Sequence, residues 1–452
     1  MQPRSGEPTR WSVWSQVSVS DTTPANIGDI KIDATIPTDV FEMSLLNATG
    51  GPGAANVGSI ILSDGVWTGH SSLLGGHITG NLTGGLEARV DSSDNGGTVV
   101  LTVDGDLTNS IEIKKDGVDT SLYGYAGDLT LVVGGVISAG IRVGTIKRLE
   151  AAALTNSSIK GDITGPVILG TINTDSTIGL GPDPADDPLP VREHITESGS
   201  VTIDSVDGVS VLLSINYAID DGGVFTIKSY NSASNIAVKF YGDIGGVLTL
   251  HEGVESGVTV VVAHGASLLA TGRIYLKDAN GVRQSVGGGG LFLDGGTKPG
   301  SLIEAGELVG QLVASLGGSP NVNSPGDFAG EVIFSSIAPG ATIWMSGANE
   351  VFSGTVTVDG DMAGQFSTCI SGGNECMDFV SPAKIVVGGN LTGRILTTEG
   401  GTATSALMSG EILIGGSIDD TATIDIGGDM SGLITSVGDM SGQISVGGLM
   451  SG

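Results

Sequence analysis

Apolar residues recur four positions apart along most of this chain, as Leu82/Leu86, Leu107/Ile111, Leu129/Val133, Ile163/Val167, Ile244/Leu248, Phe328/Val332, Met362/Phe366 and Leu391/Ile395. That spacing alone would suit one face of a helix. The neighbours decide otherwise. Gly84, Gly165, Gly330, Gly364 and Gly393 lie between the paired residues, where a helix interior disfavours them, and the flanks alternate with period two, as in Ile424-Asp425-Ile426 and Ile444-Ser445-Val446. The pattern predicts short strands.

The pattern is an internal repeat, and it is most regular at the C-terminal end. Asp429-Met430-Ser431-Gly432, Asp439-Met440-Ser441-Gly442 and Leu449-Met450-Ser451-Gly452 follow one another at a spacing of ten, with Leu407-Met408-Ser409-Gly410 as an earlier copy. Repeats of this kind stack, each unit burying its apolar face against the next. The expected fold is all-β: a parallel β-helix, or β-solenoid, built from Gly-Asp/Asn-apolar-small-Gly units. Its strands would lie on flat faces and Gly, Asp or Asn at corners requiring positive φ, with two ten-residue units to a coil of roughly 20 residues.

Composition narrows the reading. Glycine makes up 76 of 452 residues and aromatics only 4%, so a core of large side chains is not available, while the regular Val/Ile/Leu alternation separates the chain from disordered sequences. Acidic residues outnumber basic ones 49 to 19, a formal net charge of −30, and no basic stripe is visible. Nucleic acid is therefore not an expected partner. An acidic surface suits a secreted, mutually repelling particle and attracts divalent cations. The apolar stretch from Leu129 to Ile141 falls short of the roughly 20 residues of a membrane helix and contains Gly134, Gly135 and Gly140, so no membrane span is expected.

Taken in order, residues 1–56 read as an N-terminal cap with irregular strands. They carry no secretory signal pattern, and Trp11 and Trp14 are expected to cover the open end of the core. Residues 57–180 read as regular solenoid. Residues 181–190 hold four prolines, which cannot continue a ladder, and form a loop or linker. Residues 191–325 keep strand alternation but show the Gly-Asp unit clearly only at Gly242-Asp243; a less regular solenoid and a β-sandwich insert are both open. Residues 326–452 return to the regular repeat.

Candidate chemistry is sparse. Gly69-His70-Ser71-Ser72-Leu73 resembles the start of a nucleophile elbow but lacks the final Gly, and among the five histidines His70/His77 is the closest pair. No catalytic residue and no cofactor-binding motif is assigned. Asp91, Ser93 and Asn95 place oxygens at alternate positions with Gly96 sixth, as in a calcium loop, although position twelve is Thr102; a plain β-turn competes. The repeated aspartates, among them Asp361, Asp429 and Asp439, have two readings. Each caps its own turn, or together they form a ladder of calcium sites. Met362, Met408, Met430, Met440 and Met450 stand where other units have Leu or Ile, so they are expected to fill the core. Cys369 and Cys376 enclose a short Gly-containing loop, which suggests a disulfide and an oxidising compartment.

The Gly-Asp-apolar-Thr/Ser-Gly-x-Ile units resemble those of bacterial Gly-rich parallel β-helix surface proteins, similar to adhesin passenger regions and more faintly to bactofilins. The resemblance implies a surface or filament-forming role. The expected function is structural and not enzymatic: an extracellular or cell-surface fibre, sheath, layer or adhesive stalk that associates with itself end to end. Two alternatives stand beside it. A β-helix polysaccharide lyase or hydrolase would need clustered carboxylates with Arg or Lys, and a carbohydrate-binding adhesin would show exposed aromatics on one face.

Overall fold

The computed structural model describes the strands between residues 10 and 78 at the level of the backbone. Beyond them it describes residues 81–451, apart from 83–85, 91–97, 116–126, 156, 174–175, 179–192, 209, 231–234, 256, 264–265, 295, 316–327, 347–350, 370–375 and 398–406. Among the described residues there is no helix, and the long ladders are parallel throughout: the chain is an all-β parallel solenoid. It divides into two compact units, Met1–Tyr217 and Ala218–Gly452.

In the first unit, one ladder joins Arg10–Val17, Val40–Asn47, Leu73–Ile78, Thr98–Val103 and Asp128–Ile137. A second joins Ile30–Ile32, Ile60–Trp67, Leu86–Val90 and Ile111–Lys115. Stacking thus begins at Arg10, ahead of the regular repeat expected from residue 57. Trp11 lies opposite Phe41 and Trp14 opposite Ser44, inside a paired strand. The 14-residue strand Ile141–Leu154 serves both ladders, its start pairing with Ile111–Lys115 and its end with Asp128–Ile137. The proline-rich segment lies outside the described residues, but the stack resumes in register beyond it, with Val167 opposite Val201 and Leu169 opposite Ile203. The strands that flank it thus belong to one ladder.

The second unit shows the coil most clearly. Strands Val224–Ile227, Val247–Leu250 and Arg273–Tyr275 begin one ladder, and Asn235–Phe240, Val258–Val262 and Leu291–Leu293 begin the other. Both run to the C-terminal repeats, ending at Leu433–Ser436 and Gln443–Val446. The parallel register through residues 235–315 removes the sandwich alternative. Between the strands, single residues bridge successive coils in two columns. One runs Phe328, Phe352, Phe379, Met408, Met430, Met450, and the other Ile337, Met362, Leu391, Ile418, Met440. The ten-residue unit is therefore half a coil, and successive units alternate between columns. From Met430 to Met450 the coil takes 20 residues; from Phe379 to Met408 it takes 29.

Alternation buries one side of the strands through the described core, as in Ile385 and Val387 or Ile424 and Ile426. The bridging columns complete the core. Phe328, Phe352 and Phe379 stack at centroid distances of 5.5 and 5.2 Å, close to the spacing of strands in a sheet. Met362, Met408 and Met430 are buried in the same way, whereas Met440 and Met450 on the last coil are 53% and 72% exposed. Thr297 is the polar member of its column; buried at 2%, its hydroxyl accepts the N–H groups of Ala329 and Gly330. One pair read from sequence is misplaced. Leu129 and Val133 both lie inside Asp128–Ile137, and the corner bridge is Ile137, opposite Leu107. Thr130-Leu131-Val132 between them carries no Gly to turn the chain.

Candidate functional site

The repeated Gly-Asp element couples one coil to the next. The Oδ1 atom of Asp361 accepts the backbone N–H of Asn390 at 2.7 Å, and Asn390 Oδ1 in turn accepts the N–H of Ser417 at 2.9 Å. Ser417 continues the series, its hydroxyl oxygen accepting the N–H of Asp439. The first unit has its own series, in which Asn81 accepts from Asp106 at 2.7 Å and Asp106 from Val136 at 2.8 Å. Asp243, Asp378 and Asp429 make the same contact with Ser267, Leu407 and Leu449. Local sequence assigns each aspartate to its own turn. In the structure the side chain instead reaches along the stack to the following coil, satisfying a backbone donor that the short strands leave unpaired.

Glycine is the other half of the contact. A Cβ on Gly389 would sit 2.2 Å from Asp361 Oδ1, and one on Gly416 would sit 2.4 Å from Asn390 Oδ1. Each of these glycines immediately precedes the residue whose N–H is bound. The glycines after the bridging residue face a second close approach, since a Cβ at Gly432 would lie 2.0 Å from the carbonyl oxygen of Gly410. None of the three has positive φ, so close packing of coils selects them, not the corner conformation expected from sequence. What the arrangement does chemically is hold adjacent coils in register through side-chain-to-backbone hydrogen bonds, charge-assisted where the acceptor is an aspartate.

The calcium candidates fall out as follows. Asp91, Ser93 and Asn95 lie outside the described residues. Asp361 and Asp429 have one carboxylate oxygen engaged by backbone, and the main chain of Asp439 is bound to Ser417. Among the described residues no group of three acidic, His or Cys side chains converges on one point. Cys369 and Cys376 are joined in a disulfide, opposite each other in an antiparallel bridge. His70 lies outside the described residues; the backbone of His77 lies within Leu73–Ile78.

Two ionisable clusters had no signal in the repeat pattern. In the second unit, a hairpin excursion brings Lys277 opposite Arg283, with the carboxylate of Asp278 accepting the N–H groups of Asn280 and Val282 at 2.8 Å. Those bonds hold the Asp278 carboxyl below its usual range. Lys277 and Arg283 both engage Glu304, the latter at 2.7 Å, and Arg283 reaches Asp359 as well. Burial pushes the Glu304 pKa up, but the two cations outweigh it and the net direction is down. This is the mixture of carboxylates and cations that the enzyme alternative calls for, here neutralised pairwise into a clasp across coils.

In the first unit, Tyr217 is fully buried and donates a hydrogen bond to the carbonyl oxygen of Gly161 at 2.7 Å. Burial, reinforced by the charges of Glu193 and Asp162, drives its pKa well up. Nearby, Lys160 is pulled down by burial and by Arg142, with Glu193 opposing. Glu193, only 6% exposed, enters directly after the proline-rich stretch, where no motif marks it. No family model matches this chain, and neither a curated protein nor a solved structure is significantly similar to it.

Proposed function

We propose that this protein is a structural, self-assembling component of the cell surface or extracellular space, forming a fibre, sheath, layer or stalk. The observation that carries this reading is the coupling repeated from coil to coil: a parallel ladder, an Asx oxygen on the next backbone N–H, and a glycine that lets the coils close. Such stacking resists extension and shear along the coil axis, because load is shared by many equivalent bonds. The disulfide suits an oxidising compartment, and the net charge of −30 keeps free particles apart in solution.

Electron microscopy of the purified chain, with calcium and with chelator, tests the reading. Rods joined into filaments or sheets are the expected result. Loss of that order in chelator would add calcium to the assembly, through carboxylates such as those of Asp361, Asp429 and Asp439. Dispersed single particles under every condition would overturn it.

A further inference from the structure

Beyond assembly, the outer face of the second unit carries a built groove. Lys239, Val261, Phe292, Val313 and Trp344 are successive register partners on five adjacent strands, and they alternate with buried residues such as Val260, Leu291 and Ile343. They therefore form one stripe along the outside of the stack, with Val313 its least exposed member at 6%. Its first three members floor a shallow concavity of about 330 Å³, edged by Tyr241, Thr259 and Asp294.

The chemistry of this groove is mixed in a specific way. The floor joins Val261 and Phe292 to the ammonium of Lys239, while the edges bring one carboxylate and two hydroxyl groups. The Thr259 hydroxyl donates to the carbonyl oxygen of Gly289 at 3.3 Å, which commits its proton and leaves the oxygen as an acceptor. Apolar surface bordered by hydrogen-bonding groups of both polarities matches a pyranose, which presents C–H faces ringed by hydroxyls. The lysine and the aspartate cancel, and a chain of net charge −30 repels polyanions at long range. The fit is to an uncharged ligand.

Periodicity points to a polymer. Phe292 and Trp344 stand two strands apart on the stripe, a separation of about 10 Å at the usual strand spacing. That is close to the length of a disaccharide in an extended glycan, so the spacing of the two side chains matches that of alternate sugars in one chain running along the stack. We infer that the Lys239–Trp344 stripe is a binding site for a neutral, extended polysaccharide. The site is independent of the coil-end contacts invoked for assembly.

The test uses the full chain and a panel of neutral hexasaccharides, the cello-, manno-, chito- and malto- series, with an oligogalacturonate as the charged comparison. Binding is followed by calorimetry and by the fluorescence of tryptophan. Saturable binding of at least one neutral series is expected, weakened about tenfold or more by Phe292→Ala and by Trp344→Ala. Thr259→Arg, which fills the groove without removing a ring, should abolish it. Circular dichroism and the thermal midpoint identify any variant that misfolds, and the wild-type titration stands by itself. Absence of binding across the panel, binding unaffected by the three folded variants, or preference for the galacturonate would each overturn the inference. Microscopy of the same variants reads assembly separately.

Discussion

The Oδ1 atom of Asp361 and the backbone N–H of Asn390 meet at 2.7 Å across two coils, and Gly389 leaves the space in which they do so. Loss of the carboxylate in Asp361→Ala should cost about 1–2 kcal/mol, since it strands a backbone donor that the carboxylate satisfies. Gly389→Ala should cost about 1–3 kcal/mol through overpacking. Because the Asp361 side chain is the nearest atom to the new methyl group, the double variant should cost less than the two single variants added together. Denaturant titration of all four proteins measures the coupling, and strict additivity would show that the glycine is there for another reason.

Phe352 is fully buried between Phe328 and Phe379. Phe352→Ala should destabilise the second unit by about 3–5 kcal/mol, as a ring-sized cavity opens in a column that the backbone ladders prevent from collapsing. Phe352→Leu should recover much of this, in keeping with the Met and Leu residues that fill equivalent positions. Equal losses for Ala and Leu in thermal unfolding would show that ring stacking, and not the filling of space, holds the column together.

The disulfide between Cys369 and Cys376 closes a loop of sequence separation 7. Reduction, or Cys369→Ser with Cys376→Ser, should lower stability by roughly 2–3 kcal/mol through the entropy regained by the unfolded chain. Unfolding with and without reductant checks this. The wild type should shift while the double serine variant does not.

Tyr217 and Tyr230 have phenol pKa values raised by burial and by nearby carboxylates, those of Glu193 and Asp162 for the first and of Glu252 for the second. In the unfolded chain each ionises near its ordinary value of 10.0. Above that pH the folded state binds more protons than the unfolded state, so their contribution to stability is intact below pH 10 and declines as pH rises, by about 1.4 kcal/mol per pH unit for each tyrosine. Tyr217→Phe should lose about 1 kcal/mol at pH 7 with its bond to Gly161, yet flatten the decline above pH 10. Denaturant midpoints from pH 7 to 11 decide it; an unchanged slope would place ionisation of Tyr217 in the folded state as well.

The sequence alone determined the solenoid, because apolar residues at period two with Gly-Asx punctuation leave stacking as the way to bury one face of so many short strands. It also determined the half-coil unit, since Met430, Met440 and Met450 occupy equivalent bridging positions ten residues apart. Tertiary structure decided what the punctuation is for. Asp361 and Gly389 are 28 positions apart, and neither local propensity nor spacing shows that a side chain on one coil needs open space on the next. The same holds for the outer stripe. Lys239, Phe292 and Trp344 are separated by corners of unequal length, so their alignment exists only once the ladders fix the register. Core positions can be read from a chain because burial selects residue type locally, whereas groups that meet between coils are brought together by register, which inserted loops conceal.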